Sequence, residues 1–135
     1  MTYGCQTWTL TKDIVNKMVV SQRKMERKML GIKQIDRIPN STIRDKTKVD
    51  DILKVMASTK WKRAGHVARM NDNRWTVRCT EWQVRKGKRS RGRPRRRWHD
   101  DIQHWQGATW SRKARDRQQW RELAEGYFQQ WRDIA

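Results

Sequence analysis

The residues best suited to chemistry lie in one stretch, Arg85-Lys86-Gly87-Lys88-Arg89-Ser90-Arg91-Gly92-Arg93-Pro94-Arg95-Arg96-Arg97. Nine of the thirteen are basic, none is acidic, and no aliphatic or aromatic side chain is present to anchor them. Such a run is expected to be a solvated, extended linker that collects phosphates. Within it, Arg91-Gly92-Arg93-Pro94 has the order of an AT-hook core. Gly92 would let the backbone sink to the floor of a narrow A·T-rich minor groove, the flanking arginines would lie along its enhanced negative potential, and Pro94 would turn the chain away. The same residues also read as a polybasic track that touches phosphates without reading bases, or that serves nuclear import. Lys62, Arg63 and Arg69 form a second basic group, expected to make secondary phosphate contacts.

Trp98, Trp105 and Trp110 follow the basic run directly. Rings beside a basic track can stack on unpaired bases, whereas tryptophans at helical spacing in a chain poor in aliphatics more often form the core. Trp98-His99-Asp100-Asp101 superficially resembles the aromatic-x-Asp-Asp turn with which polymerases hold two metal ions. That chemistry needs a hairpin and a further carboxylate, so that two ions clamp both oxygens of an in-line displacement. Here the pair follows Pro94 and opens an amphipathic stretch, where acids ordinarily complement a helix dipole. Asp50-Asp51 reads the same way. For zinc there are Cys5, Cys79, His66, His99 and His104, with no Cys-x-x-Cys pair among them. His66 is expected to be a packed, hydrogen-bonded residue. No nucleophile triad, phosphate loop or dinucleotide fingerprint is present. The expectation is a chain without catalytic residues, metal or cofactor.

The elements that must position these residues are helical. Between Lys12 and Leu30, the residues Ile14, Val15, Met18, Val19, Met25, Met29 and Leu30 fall on one helix face and Lys17, Arg23, Lys24, Arg27 and Lys28 on the other. Thr11 suits the N-cap and Gly31 the C′ position. After the break at Pro39-Asn40, Ser41 is placed to cap a short helix to Thr47. A second long helix is expected from Asp50 to Met70, with Ile52, Leu53, Met56, Ala64, Val67 and Ala68 as its stripe and Trp61 at the edge. Trp75, Val77 and Trp82 suggest a short helix. Beyond the basic run, Trp98 to Trp105 and then Thr109 to Arg132 complete an all-α reading. The organisation is a helical segment 1–84, a basic linker 85–97 and C-terminal helices 98–135.

Composition sets the limits. The chain has 135 residues, with 33 Lys and Arg against 14 Asp and Glu, a formal charge of +19. One domain of that charge collects polyanions. Leu, Ile, Val and Phe number only 21 of the 135, a fraction at which many charged chains stay unfolded. Nine Trp and six Met work against that outcome, since each buried indole removes a large apolar area from water. The core should be thin, carried by Trp61, Trp82, Trp98, Trp120 and Trp131. The longest aliphatic run, Met18-Val19-Val20, is far too short for a membrane span. Cys5 and Cys79 make no disulfide framework. These features suit an intracellular protein of nucleus or cytoplasm that meets nucleic acid and no membrane.

The order of several short motifs resembles a known family. Tyr3-Gly4-x-x-x-Trp8-Thr9-Leu10-Thr11, Met29-Leu30-Gly31-Ile32 and Trp61-x-x-x-Gly65-His66-Val67-x-Arg69-Met70 are followed by Arg91-Gly92-Arg93-Pro94-x-x-x-Trp98-x-Asp100-Asp101-Ile102 and Ala114-x-Asp116-Arg117-x-x-Trp120. Over nearly the whole chain this is similar to the C-terminal part of RTE/BovB-like non-LTR retrotransposon endonuclease–reverse transcriptases. The resemblance implies a region from the end of the thumb onward, downstream of the endonuclease and the catalytic palm. It would help upstream reverse transcriptase domains hold template RNA or target DNA. Gln6 stands where that family usually has an acid, and the Cys-Cys-His-Cys knuckle of other non-LTR groups is missing.

Overall fold

The computed structural model describes residues 2–72, 74–81, 92 and 96–132, and among them the fold is all-α. Helix α1, Lys12–Met29, begins where Thr11, in extended conformation, accepts from the Ile14 N–H. It ends before Gly31, whose φ of 66° is open to a residue without a Cβ. Helix α2, Asn40–Thr47, starts directly after Pro39, so Ser41 lies in its first turn and is not the cap. Helix α3, Ile52–Ala68, is capped by Asp51, which accepts from the Leu53 N–H at 2.9 Å. Helix α4 spans Trp75–Glu81 and α5 spans Asp100–Gln106.

Helix α3 is the hub. It packs against α1, against the 3-10 turn Cys5–Thr7, and against the C-terminal helices. Its face is the one the sequence marks: Ile52, Leu53, Met56, Ala64 and Val67 are buried, and Trp61 is buried with them. His66, by contrast, is exposed; it lies opposite that face, so it is not the packed histidine its place in the helix suggested.

Helix α1 departs from its hydrophobic pattern. Val15, Val19, Gln22 and Glu26 are buried, while Met25, Met29 and Leu30 are exposed. The reason is polar. Gln22 Nε2 donates to the Asp50 carbonyl at 2.8 Å and its Oε1 accepts from the Ile52 N–H at 2.9 Å. This satisfies the backbone at the start of α3 and rotates α1 so that the glutamine faces inward. Arg27 turns toward the connection as well, donating to the Ile38 carbonyl and to Asn40 Oδ1.

The C-terminal stretch is three helices rather than one: α6, Trp110–Lys113, α7, Arg117–Glu122, and α8, Ala124–Arg132. Asp116 causes the first break. Its carboxylate accepts from the Gln118 and Gln119 N–H groups and caps a new helix, as short polar side chains do when they compete with a continuing helix. The Ala114 carbonyl, freed at the break, accepts from Arg69 Nη1 at 2.6 Å.

These breaks fold the C-terminal tryptophans back onto α3. Trp61 and Trp120 stack with ring centroids 3.7 Å apart and planes 3° from parallel. Each indole N–H donates to the other residue's backbone carbonyl, at 2.8 and 3.0 Å. Tyr127 stacks on the other side of Trp61 and Trp131 meets Tyr127 edge-on. Of the expected core tryptophans, Trp61, Trp120 and Trp131 are buried, Trp98 packs half-buried against the cluster, and Trp82 lies outside the described residues. Trp110 is buried too, and Trp105 is exposed.

Gly65 is what lets the clamp close. A Cβ there would lie 2.6 Å from Trp120 Cδ1 and Nε1. Replacing a helical glycine with alanine ordinarily gains up to about 1 kcal/mol. At this site the sign should reverse, because the stacked, hydrogen-bonded ring has nowhere to move. Overpacking costs typically about 1–3 kcal/mol. Gly65→Ala should therefore lower the midpoint of urea unfolding and weaken the near-ultraviolet circular dichroism of the stacked indoles. A variant as stable as the parent, with that signal intact, contradicts the clamp geometry.

Candidate nucleic-acid interface

The clamp leaves a cleft of about 680 Å³ between α3 and the C-terminal helices, floored by Trp61, Trp120, Ala124 and Phe128. Lys54, Ser58 and Lys62 line it from successive turns of α3, Arg69 closes one end, and Arg117 and Arg121 line it from α7. The spacing of four residues, repeated on both helices, puts each set of cations on one face. Among the described residues no salt bridge joins any of these five cations to a carboxylate. Asp116 and Glu122, the acids next to Arg117 and Arg121 in sequence, are engaged elsewhere: Asp116 accepts from the Gln118 and Gln119 N–H groups, and Glu122 accepts from Gln118 Nε2. Burial holds the Arg69 guanidinium below the ordinary arginine value, and the positive charges of Arg117 and Arg121 push in the same direction. Arginine still keeps its charge at any neutral pH. The repulsion is therefore built into the fold.

Of the residues expected to contact phosphate, Lys62 and Arg69 belong to this cleft, whereas Arg63 faces a second hollow on the other side of α3. Lys54, Arg117 and Arg121 were missed. Their four-residue spacing was visible, but nothing local brings α7 beside α3. Arg85, Lys86, Lys88, Arg89, Arg91, Arg93 and Arg95 lie outside the described residues. Gly92 is exposed, with a φ of 123°. Arg96 is exposed, and Arg97 is half-buried, its backbone N–H donating to Asp100 Oδ2 at 2.6 Å.

The Asp100-Asp101 pair divides its labour. Asp100 stays at the start of α5, as a dipole complement does. Asp101 is 2% exposed, and Lys60, fully buried, donates to its Oδ2 at 2.8 Å. The Tyr127 hydroxyl donates to the same oxygen at 3.0 Å. Lys60 Nζ also donates to the Trp8 carbonyl and sits 5.4 Å from the Trp98 ring. The capping role expected for Asp101 is thus replaced by a buried ion pair tying α3, α5 and α8 together. Its two carboxylate oxygens are occupied, the second by the Ile102 N–H. Among the described residues, no group of three His, Cys, Asp or Glu side chains gathers as a metal would require. No helix among them is long and apolar enough to cross a membrane.

Comparison with known proteins bears on origin. An uncharacterized transposon-derived protein of Caenorhabditis elegans is 34% identical over 133 aligned residues, which take in 89% of this chain. The chain is similar to that protein and spans about half of its length, 48%. No family model matches it, and no solved structure does.

Burial pushes the Tyr127 phenol far above its ordinary value, and the negative charge of Asp101 pushes it further the same way. An unfolded tyrosine titrates near pH 10. The folded chain thus keeps a proton that the unfolded chain releases, so stability is whole below about pH 10 and falls as pH rises beyond it. The chain has two tyrosines, so Tyr3→Phe isolates this one. Its phenolate absorbance at 295 nm should stay flat above pH 10 until the tryptophan circular dichroism is lost, and both should then change together. Phenolate forming near pH 10 with the tryptophan signal intact contradicts the buried network.

Proposed function

We propose that this chain is a non-catalytic, nucleic-acid-binding part of a retrotransposon protein, gripping the phosphate backbone in the α3/α7 cleft. The observation that carries the reading is the convergence of Lys54, Lys62, Arg69, Arg117 and Arg121 on one cleft with no carboxylate paired to them among the described residues. The net charge of +19 supports it, because cations released from phosphates drive association with any polyanion. The basic run 85–97 is a second contact, through phosphates or through minor-groove readout by Arg91 and Arg93. The transposon-derived relative supports the setting. The motif order from Tyr3-Gly4 to Asp116-Arg117 favours the RTE/BovB-like non-LTR group, in which this region accompanies upstream reverse transcriptase domains. The engagement of Asp101 by Lys60 and Tyr127 supports a structural rather than metal-clamping role for the one carboxylate pair that resembles a polymerase turn.

Affinity for a short DNA duplex should fall steeply with salt, by roughly 10³-fold from 50 to 200 mM if about six phosphates are met. The triple substitution Lys54→Ala, Arg117→Ala, Arg121→Ala removes three exposed cations without touching the core. It should flatten the slope of log K against log salt by about three. Affinity and slope left unchanged by the triple variant would remove the cleft from the interface.

A further inference from the structure

On the side of α3 away from the cleft lies a second hollow of about 410 Å³, lined by Gln6 and Thr7, by Arg63 and Val67 of α3, by α4, and by Trp98. Three features of it bear on what it could hold. Trp75, on its wall, is 76% exposed, a large apolar surface left in water. Trp98 presents a half-buried ring on the facing wall and is fixed there, its indole N–H donating to the Gln6 carbonyl at 2.7 Å. Arg63, the basic residue that does not reach the cleft, lines the same hollow from α3.

The chain's path supplies the fourth feature. Thr80 and Trp98 both line the hollow. In sequence Thr80 lies five residues before the basic run 85–97, and Trp98 follows that run immediately. Two indoles and a guanidinium lining a space large enough to admit a nucleobase make a stacking site, since every base has a π-face and every nucleotide a phosphate.

We infer that this hollow takes an unpaired base of a single-stranded nucleic acid, stacked on Trp75 and Trp98 with its phosphate toward Arg63. The inference rests on the nucleic-acid reading above and adds the ligand's state: bases accessible, strand unpaired. Trp75 supplies a largely exposed ring, with the Arg78 guanidinium over it at 5.5 Å from the centroid. Trp98 supplies the fixed wall. Val67 supplies an apolar floor. The cleft between α3 and α7 contributes charge only, because its indoles are stacked on each other and offer no face to a base.

The test uses the full chain and two single-stranded oligonucleotides of equal length and charge, one oligothymidine and one abasic throughout. The parent should bind the base-bearing strand about tenfold more tightly than the abasic one. Trp75→Ala, at an exposed site where folding is unaffected, should bring the two affinities within about twofold of each other while leaving the abasic affinity unchanged. Trp75→Phe, which keeps a ring, should retain most of the preference. The cleft triple variant should weaken both strands alike and keep the ratio. Equal binding of the two strands by the parent, or a preference that survives Trp75→Ala, overturns the base site alone. Failure to bind either strand or duplex overturns the phosphate-binding reading along with it.

Discussion

The fold depends on two indoles held face to face. Trp61 on α3 and Trp120 on α7 stack at 3.7 Å and exchange hydrogen bonds with each other's backbone, so one contact joins apolar burial, ring stacking and two satisfied donors in a dry interior. Truncating either ring would cost roughly 3–5 kcal/mol, against a total of about 5–15 for a domain of this kind. A chain with so few aliphatics cannot spread its stability over many Leu and Ile side chains, and it concentrates it here. Gly65 is the geometric condition for the clamp, and the breaks around Asp116 bring Trp120 to it. The cleft follows from the same contact. Its floor is the clamp, and its walls are the two helices that the clamp joins.

The local signals of the sequence translate directly into structure. Thr11, Gly31 and Asp51 mark helix ends because capping is decided by one side chain and its neighbouring N–H groups. The inward face of α3 is plain from its periodicity. What escapes is whatever depends on a partner far along the chain. Lys60 and Asp101 are 41 residues apart, and each alone looks like a solvated charge. Gln22 is buried for the sake of the backbone at Asp50 and Ile52, which no hydrophobic pattern records. The last helix breaks at Asp116 although its tryptophans keep helical spacing, since capping there outweighs a continuous stripe. Lys62 and Arg69 could be named as phosphate contacts, but Arg117 and Arg121 could not be joined to them before the clamp was seen.

Charge gives the molecule its division of labour. Among the described residues the one fully buried lysine, Lys60, is paired with Asp101, as a charge removed from water must be. Among the described residues, the five cations lining the cleft have no salt bridge to a carboxylate. In the proposed reading, a polyanion bound there would lower the repulsion among Arg69, Arg117 and Arg121 and stabilise the folded state by mass action. In this account a thin core and an excess of positive charge belong together, the ligand completing what the sequence leaves underdetermined.

The claim that the α3/α7 cleft is where phosphate binds is tested most directly by amine footprinting of the intact chain. Lys54 and Lys62 are exposed on the cleft, and Lys17, Lys24 and Lys28 are exposed on α1, away from it. Acylation is followed residue by residue, with and without a saturating DNA duplex. The account predicts that Lys54 and Lys62 slow markedly while the α1 lysines react as in the free chain. Lys54 and Lys62 reacting at their free rates in the saturated complex would contradict it.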